Sequence, residues 1–176
     1  MNYVILGLGS NKTWNGMNSI QLLKKAYNEL SFLISKISCS SVYRTKPMYV
    51  ENQDDFYNMV VSGFVEDSFL PEELLQKIHI IESSLGRDRS KEIRNGPRSI
   101  DIDIEVFGNI SLQTKELQIP HPRIFERNFV LCPMLEIFDK SADFIIKENL
   151  LQLATKKSFS DVEIFLGIKD FIKTGV

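Results

Sequence analysis

The sequence predicts an α+β sandwich in β-α-β-β-α-β order, followed by extra C-terminal elements. Three observations carry that prediction. Short apolar runs alternate with two segments whose apolar residues recur at helical spacing. Two strand-like runs stand back to back between residues 34 and 65. That adjacency breaks the strict strand–helix alternation a doubly wound parallel sheet needs. The order is that of a split βαβ, the ferredoxin-like arrangement.

Tyr3 to Leu8 is a short apolar run, the pattern of a buried strand, and Gly7-Leu8-Gly9-Ser10-Asn11 is read as its end. Ile20, Leu23, Tyr27 and Leu30 then recur at helical spacing. Ile34 to Arg44 is strand-like, Thr45 to Asp55 a polar loop around Pro47, and Phe56 to Val65 a strand rich in aromatic and β-branched residues. Pro71 opens a helix as its first residue, with Leu74, Leu75, Ile78, Ile81 and Leu85 along one face and Gly86 as its stop. Arg87 to Pro97 is a polar stretch, longer than the usual ~4–6 residues of a connection. Ser99 to Phe107 is a strand, Gly108-Asn109 a turn, and Thr114 to Ile119 a further short strand. Pro120-His121-Pro122 sits in neither regular element. A helix runs through Arg127 to Phe138, and helical pieces follow Ala142.

The chain has 176 residues, 43% hydrophobic and 25% charged, with no repeat or long linker, and reads as a single domain, 1–176. That composition excludes a disordered or low-complexity scaffold. The net charge is -2, so the chain is not a general binder of nucleic acid or membrane surfaces. Cys39 and Cys132 are its only cysteines, too few for a disulfide framework or a cysteine metal site. The start lacks a basic region and a cleavage site, and no apolar run approaches the ~20 residues of a membrane span. A cytoplasmic protein is expected.

The strongest local signal is Ile100-Asp101-Ile102-Asp103-Ile104. In a strand the isoleucines point one way and the two aspartates the other, their Cα atoms about 6.6–7 Å apart. Paired carboxylates repel unless a cation lies between them, and hard oxygen donors suit Mg²⁺ with substrate phosphates completing its shell. Taken alone, the pair reads more readily as the solvated face of an amphipathic strand. Glu105 lies on the same face with its role open. Of seven arginines, Arg87, Arg89, Arg94 and Arg98 fall just before the aspartates, with Lys91 among them. Guanidinium groups grip phosphate oxygens, so an arginine loop beside two carboxylates suits a polyphosphate substrate. The other reading is a solvated loop interleaved with Asp88 and Glu92.

The glycines at 7 and 9 do not make a nucleotide fingerprint, because Lys12 stands where the third glycine belongs. They serve a tight turn or a close backbone approach. His121 is either structural or, held between prolines, a donor to phosphate. His79 carries no catalytic assignment. Phe56 and Phe129 are either core or a stacking pair for a flat heterocycle.

Taken together, these segments resemble the 6-hydroxymethyl-7,8-dihydropterin pyrophosphokinases of folate synthesis. The resemblance runs in order from Gly7 to about Ile137. It rests on Gly9-Ser10-Asn11, Tyr43-Arg44-Thr45, Phe56-Tyr57-Asn58, Glu82 with Gly86-Arg87, the run Arg94 to Asp103 with its G-P-R-x-x-D-x-D hallmark, and Pro120-His121-Pro122-Arg123 with Arg127 and Phe129. It implies a ferredoxin-like fold with long catalytic loops, and transfer of a diphosphoryl group from ATP to the pterin's hydroxymethyl oxygen with release of AMP. It implies two Mg²⁺ ions held by Asp101 and Asp103, with Asp101 also near the pterin. The pterin would lie between Phe56 and Phe129, its polar edge read by Asn58 and by main chain from Thr45 to Met48. Glu82, Arg89, Arg94, Arg98, Ile104, His121 and Arg127 would surround ATP, and Arg87 and Arg98 would assist catalysis. The family expectation is a monomer acting on small molecules, with no nucleic acid and no membrane. Many members carry an aromatic residue where Asn95 stands, and often Tyr where Phe56 stands.

Three other readings compete: a Mg²⁺-dependent phosphohydrolase using the same aspartates, a non-enzymatic RNA-binding module on the same fold, and a ligand-binding relative without activity.

Overall fold

The computed structural model describes residues 1–48, 52–91, 93, 96–155, 159 and 161–175. In chain order the elements are β1 (Asn2–Ser10), α1 (Ser19–Leu30), β2 (Ser35–Cys39), β3 (Val42–Thr45), β4 (Phe56–Val65), α2 (Pro71–Ser84), β5 (Asp101–Phe107), β6 (Leu112–Gln113), β7 (Gln118–Ile119), α3 (Asn128–Ile137), α4 (Lys147–Ala154), β8 (Glu163–Leu166) and α5 (Ile168–Lys173). The main sheet runs β5-β1-β4-β3-β8, with β2 also paired to β4. Every pairing in it is antiparallel.

β1 shows how the sheet is covered. Val4, Leu6 and Leu8 pack with α1 and α2 residues such as Leu22, Leu23, Leu74 and Ile78. Tyr3 and Ile5, on the other face, pack with Val130, Leu131 and Met134 of α3 and Leu150 of α4. The period-two alternation thus builds two cores from one strand. The helix ends follow local chemistry. Asn18 and Gln21 close a reciprocal capping box on α1 with two 3.0 Å bonds. Pro71 opens α2 as expected, and Gly86, at φ +88°, turns the chain beyond it. A Cβ on Gly86 would fall 2.2 Å from the Trp14 ring, so no other residue fits.

Four details differ from the sequence expectation. β1 does not end at Gly7 but runs straight through Gly9 to Ser10. The single strand expected over Ile34–Arg44 is broken at Ser40–Ser41 into β2 and β3, both along one edge of β4. Ser40 causes the break: its amide donates to Val60 O and its hydroxyl accepts the Val60 amide, each at 2.9 Å. The strand expected at 114–119 is a two-strand ribbon, β6 with β7. The C-terminal segment supplies a strand as well as helices, since β8 pairs with β3.

Lys24 of α1 holds this tail. Its buried amine donates to Ile172 O at 2.8 Å and Phe171 O at 3.4 Å, and lies 5.2 Å from the Phe171 ring centroid. Among the described residues no helix is long and apolar enough to cross a membrane.

Candidate active site

The site lies on the α3 face of the sheet, at the end where β1 leaves its glycines. Gly9 pairs with Asp101 and Asn58, and Gly7 with Asp103. Without side chains on β1 there, the sheet itself is the floor of a cleft. The close-approach role foreseen for these glycines is therefore the one they fill. A Cβ on Gly9 would stand 3.0 Å from Asn58 Oδ1, and one on Gly7 2.9 Å from Glu105 Oε1.

Asp101 and Asp103 project into this cleft together, while Ile102 and Ile104 enter the α1–α2 core. Ile104 can therefore offer a ligand only its main chain. Two guanidinium groups engage Asp101: Arg98 at 2.8 Å, and Arg87 in a short contact. Burial opposes ionisation of Asp101, but Arg98 and Arg87 outweigh it and hold the carboxyl below the usual carboxylate range. Among the described residues the ion-pair partner of Asp103 is Arg127, at 3.6 Å. Desolvation and the neighbouring Asp101 push Asp103 up to about 7, although its side chain is 42% open to water, which moderates the push. The two carboxyls thus differ in proton affinity.

Glu82 is 1% exposed and anchors the arginine loop. Its Oε1 accepts from Arg87 at 2.6 Å and from the Ile102 amide at 2.8 Å, and its Oε2 accepts from Arg89 at 2.6 Å. Both oxygens are committed, so Glu82 positions two arginines rather than presenting itself to a ligand. Asn11 does similar work. Its amide group donates to Gln53 Oε1 and Asp54 O, and its carbonyl accepts the Arg98 amide at 2.9 Å. Sequence reasoning gave neither residue this role: Asn11 acts through partners far away in the chain, and Glu82 through arginines five and seven residues on, which the turn at Gly86 folds back onto it. Arg94, expected at ATP, and Asn95 lie outside the described residues.

Phe56 of β4 and Phe129 of α3 line the same cleft, each with a guanidinium over its ring: Arg98 at 5.2 Å and Arg127 at 5.6 Å. Asn58 donates to Thr45 Oγ1 at 2.8 Å, which leaves its carbonyl oxygen toward the glycine floor. Met48 completes this wall. His121 follows the cis Ile119–Pro120 bond, and its amide donates to Glu105 O at 3.0 Å. The Arg123 amide donates to its Nδ1, which assigns the ring proton to Nε2, 3.5 Å from Arg127. Burial, then Arg127 and Arg123, hold His121 down to about 4. His79 lies apart, beside Trp14 and Arg89.

Glu105, left open by the sequence, is completely buried and lines the cleft. Burial above all, then Asp103, pushes its carboxyl well above the usual range. Among the described residues no cluster of three or more acidic, histidine or cysteine side chains is preassembled around a metal position. The donor chemistry still fits a hard cation, because Asp101 and Asp103 offer carboxylate oxygens on one rigid strand. A substrate's phosphates would complete the shell.

Residues 5–139 match the family model for 7,8-dihydro-6-hydroxymethylpterin-pyrophosphokinase. The chain is 38% identical over 136 residues to the 2-amino-4-hydroxy-6-hydroxymethyldihydropteridine pyrophosphokinase of Bacillus subtilis, covering 77% of this chain and 78% of that protein. It is 42% identical over 153 residues to the folic acid synthesis protein fol1 of Pneumocystis carinii, covering 86% of this chain and 19% of that protein. This chain therefore spans about a fifth of that longer relative. The crystal structure of wild-type Plasmodium falciparum HPPK-DHPS superposes with a TM-score of 0.61 at 17% identity, covering 88% of this chain and 44% of that one. At that identity it shows a shared fold.

Proposed function

The chain belongs to the 7,8-dihydro-6-hydroxymethylpterin-pyrophosphokinase family, and from that premise we propose that it transfers a diphosphoryl group from ATP to the hydroxymethyl oxygen of 6-hydroxymethyl-7,8-dihydropterin, releasing AMP, in folate synthesis. One observation supports the reading above the others. Asp101 and Asp103 share a cleft with two aromatic walls and with Arg98 and Arg127. A flat heterocycle and a polyphosphate are the two halves of such a substrate pair.

The residues divide the work. Phe56 and Phe129 hold the pterin ring by stacking, and the free carbonyl of Asn58 accepts from its N–H edge. Arg87, Arg89, Arg98, Arg127 and the Nε2–H of His121 spread positive charge over the phosphates, as phosphoryl transfer requires. Asp101 and Asp103 would hold Mg²⁺, two ions on the family reading, which would supply neutralisation of phosphate charge. The hydroxymethyl oxygen bonds to the β-phosphorus and gives up its proton to water, the bond from that phosphorus to the oxygen bridging the α-phosphate breaks, and AMP leaves. No residue is assigned as general base. Before substrate arrives, Arg87 and Arg98 occupy Asp101. If Asp101 held a cation, both guanidinium groups would be available to phosphate instead.

The reading carries a fold and a setting with it. With β2 and β3 counted as one broken strand, the sheet order corresponds to a ferredoxin-like βαββαβ sandwich. Residues 1–176 act as one domain, monomeric and cytoplasmic, on small molecules rather than nucleic acid. Product analysis tests the activity. Incubation with ATP, Mg²⁺ and the dihydropterin should yield AMP only when pterin is present. Formation of ADP, or AMP independent of pterin, would refute it.

A further inference from the structure

Glu105 is a carboxyl in a position that ordinarily costs a protein stability. It has no exposure to water, and among the described residues neither of its oxygens has a hydrogen-bond partner. Buried polar groups are almost always satisfied, so one left bare in a native fold calls for a partner that arrives later. His121 is not that partner. Its Nδ1 is 3.9 Å away, beyond hydrogen-bond distance, and already accepts the Arg123 amide.

Two features of the backbone place this carboxyl where it is. The first is a bulge. Ile5 pairs with Val106 and Leu6 with Ile104, so Glu105 is the extra residue with no partner across the ladder. A bulge of this kind re-aims a side chain, and such bulges gather beside active sites. The second is Gly7. Glu105 Oε1 stands 2.9 Å from where a Gly7 Cβ would be, so the glycine leaves the pocket the carboxyl occupies. The result is an oxygen acceptor in the wall of the cleft that Phe56, Asn58 and Phe129 also line.

We propose that Glu105 is a further recognition residue for the heterocycle, one carboxyl oxygen accepting a hydrogen bond from an N–H group of the bound pterin. This rests on the pterin reading given above. A carboxyl oxygen accepts whether or not the other oxygen carries a proton, so the contact does not depend on its charge. Together with the free carbonyl of Asn58 it gives the slot two acceptors, which suits an amino-substituted heterocycle with more than one N–H. A site built this way rejects analogues that lack the donor, because the acceptor is then left bare again.

Binding of 6-hydroxymethyl-7,8-dihydropterin and of a nonhydrolysable ATP analogue, each alone, tests this in the full chain and in Glu105→Met and Glu105→Gln. The Met variant should lose about tenfold to a hundredfold in pterin affinity. The Gln variant, which keeps a carbonyl acceptor, should fall between. Affinity for the ATP analogue should stay within twofold. The Met variant should also melt no lower than the unaltered chain, since it removes an unsatisfied buried group. Pterin affinity in Glu105→Met within twofold of the unaltered chain overturns the inference while the pterin reading stands. Failure of the unaltered chain to bind pterin overturns both. If the Met variant does not fold, Gly7→Ala decides: its methyl displaces Oε1, and unchanged pterin affinity there overturns the inference.

Discussion

Lys24 and Glu105 are both ionisable side chains withdrawn from water, on opposite faces of the same sheet, and their surroundings differ in kind. Lys24 is satisfied: two carbonyls of the C-terminal helix and two aromatic rings receive its amine. Among the described residues Glu105 has no hydrogen-bond partner. The contrast extends to the regions around them. Arg98 Nε and Arg127 Nε are likewise buried without a hydrogen bond among the described residues, and both residues line the cleft with Glu105. The α1–α2 face carries the larger of the two apolar cores, while the α3 face shares its length between a smaller core and the cleft. One face is finished by folding alone, and the other is left for ligands to finish. Changes on the finished face should cost stability, and changes on the other should cost activity.

The largest effect expected is at Asp101. Asp101→Ala removes a carboxylate that the proposed function assigns to a cation, and on that reading AMP formation should fall by about a thousandfold or more. A variant that keeps a tenth of its turnover would break the comparison, because the cleft would then not be organised around that carboxyl. Lys24→Met tests the other face. It strips the donor from the carbonyls of Phe171 and Ile172, and urea unfolding should show a loss of about 2 kcal/mol with kcat unchanged. A loss of turnover in a folded Lys24→Met chain would mean the tail and the cleft are coupled.

A smaller effect concerns pH. His121 is held down to about 4 in the folded chain, against an ordinary value near 6.5. Between those values the unfolded chain binds the extra proton, so this contribution to stability is full above pH 6.5 and is lost as pH falls toward 4. The melting temperature should drop across that window, and His121→Gln should flatten part of the drop. An equal drop in the variant would place the titration elsewhere.

The same contrast explains what could be read from the chain. The ends of α2 were legible because Pro71 and Gly86 act locally. The aspartate pair was legible because alternation in a strand is a two-residue rule. The break at Ser40–Ser41 was not, since it is made with Val60 and is held by Glu136, which accepts the Ser41 amide from α3. β8 was missed for the same reason: its partner β3 lies more than a hundred residues earlier. Gly7 and Gly9 were ambiguous, because glycine marks both a turn and an open floor. Glu105 stayed open because a bulge cannot be counted from side-chain periodicity.

Glu82 at the foot of the arginine loop has a further consequence, in the rate of encounter. Among the described residues, the cleft region holds four guanidinium groups, Arg87, Arg89, Arg98 and Arg127, beside Glu82 and Asp101 and beside Asp103 and Glu105, whose carboxyls are pushed toward the neutral form. Arg87 and Arg89 are already matched to Glu82, and Arg98 to Asp101. Glu82 and Asp101 thus offset only part of the positive charge, and under the proposed function an approaching nucleotide is still drawn to the remainder. Association should weaken as ionic strength rises, but less steeply than for a protein whose arginines all stand uncompensated.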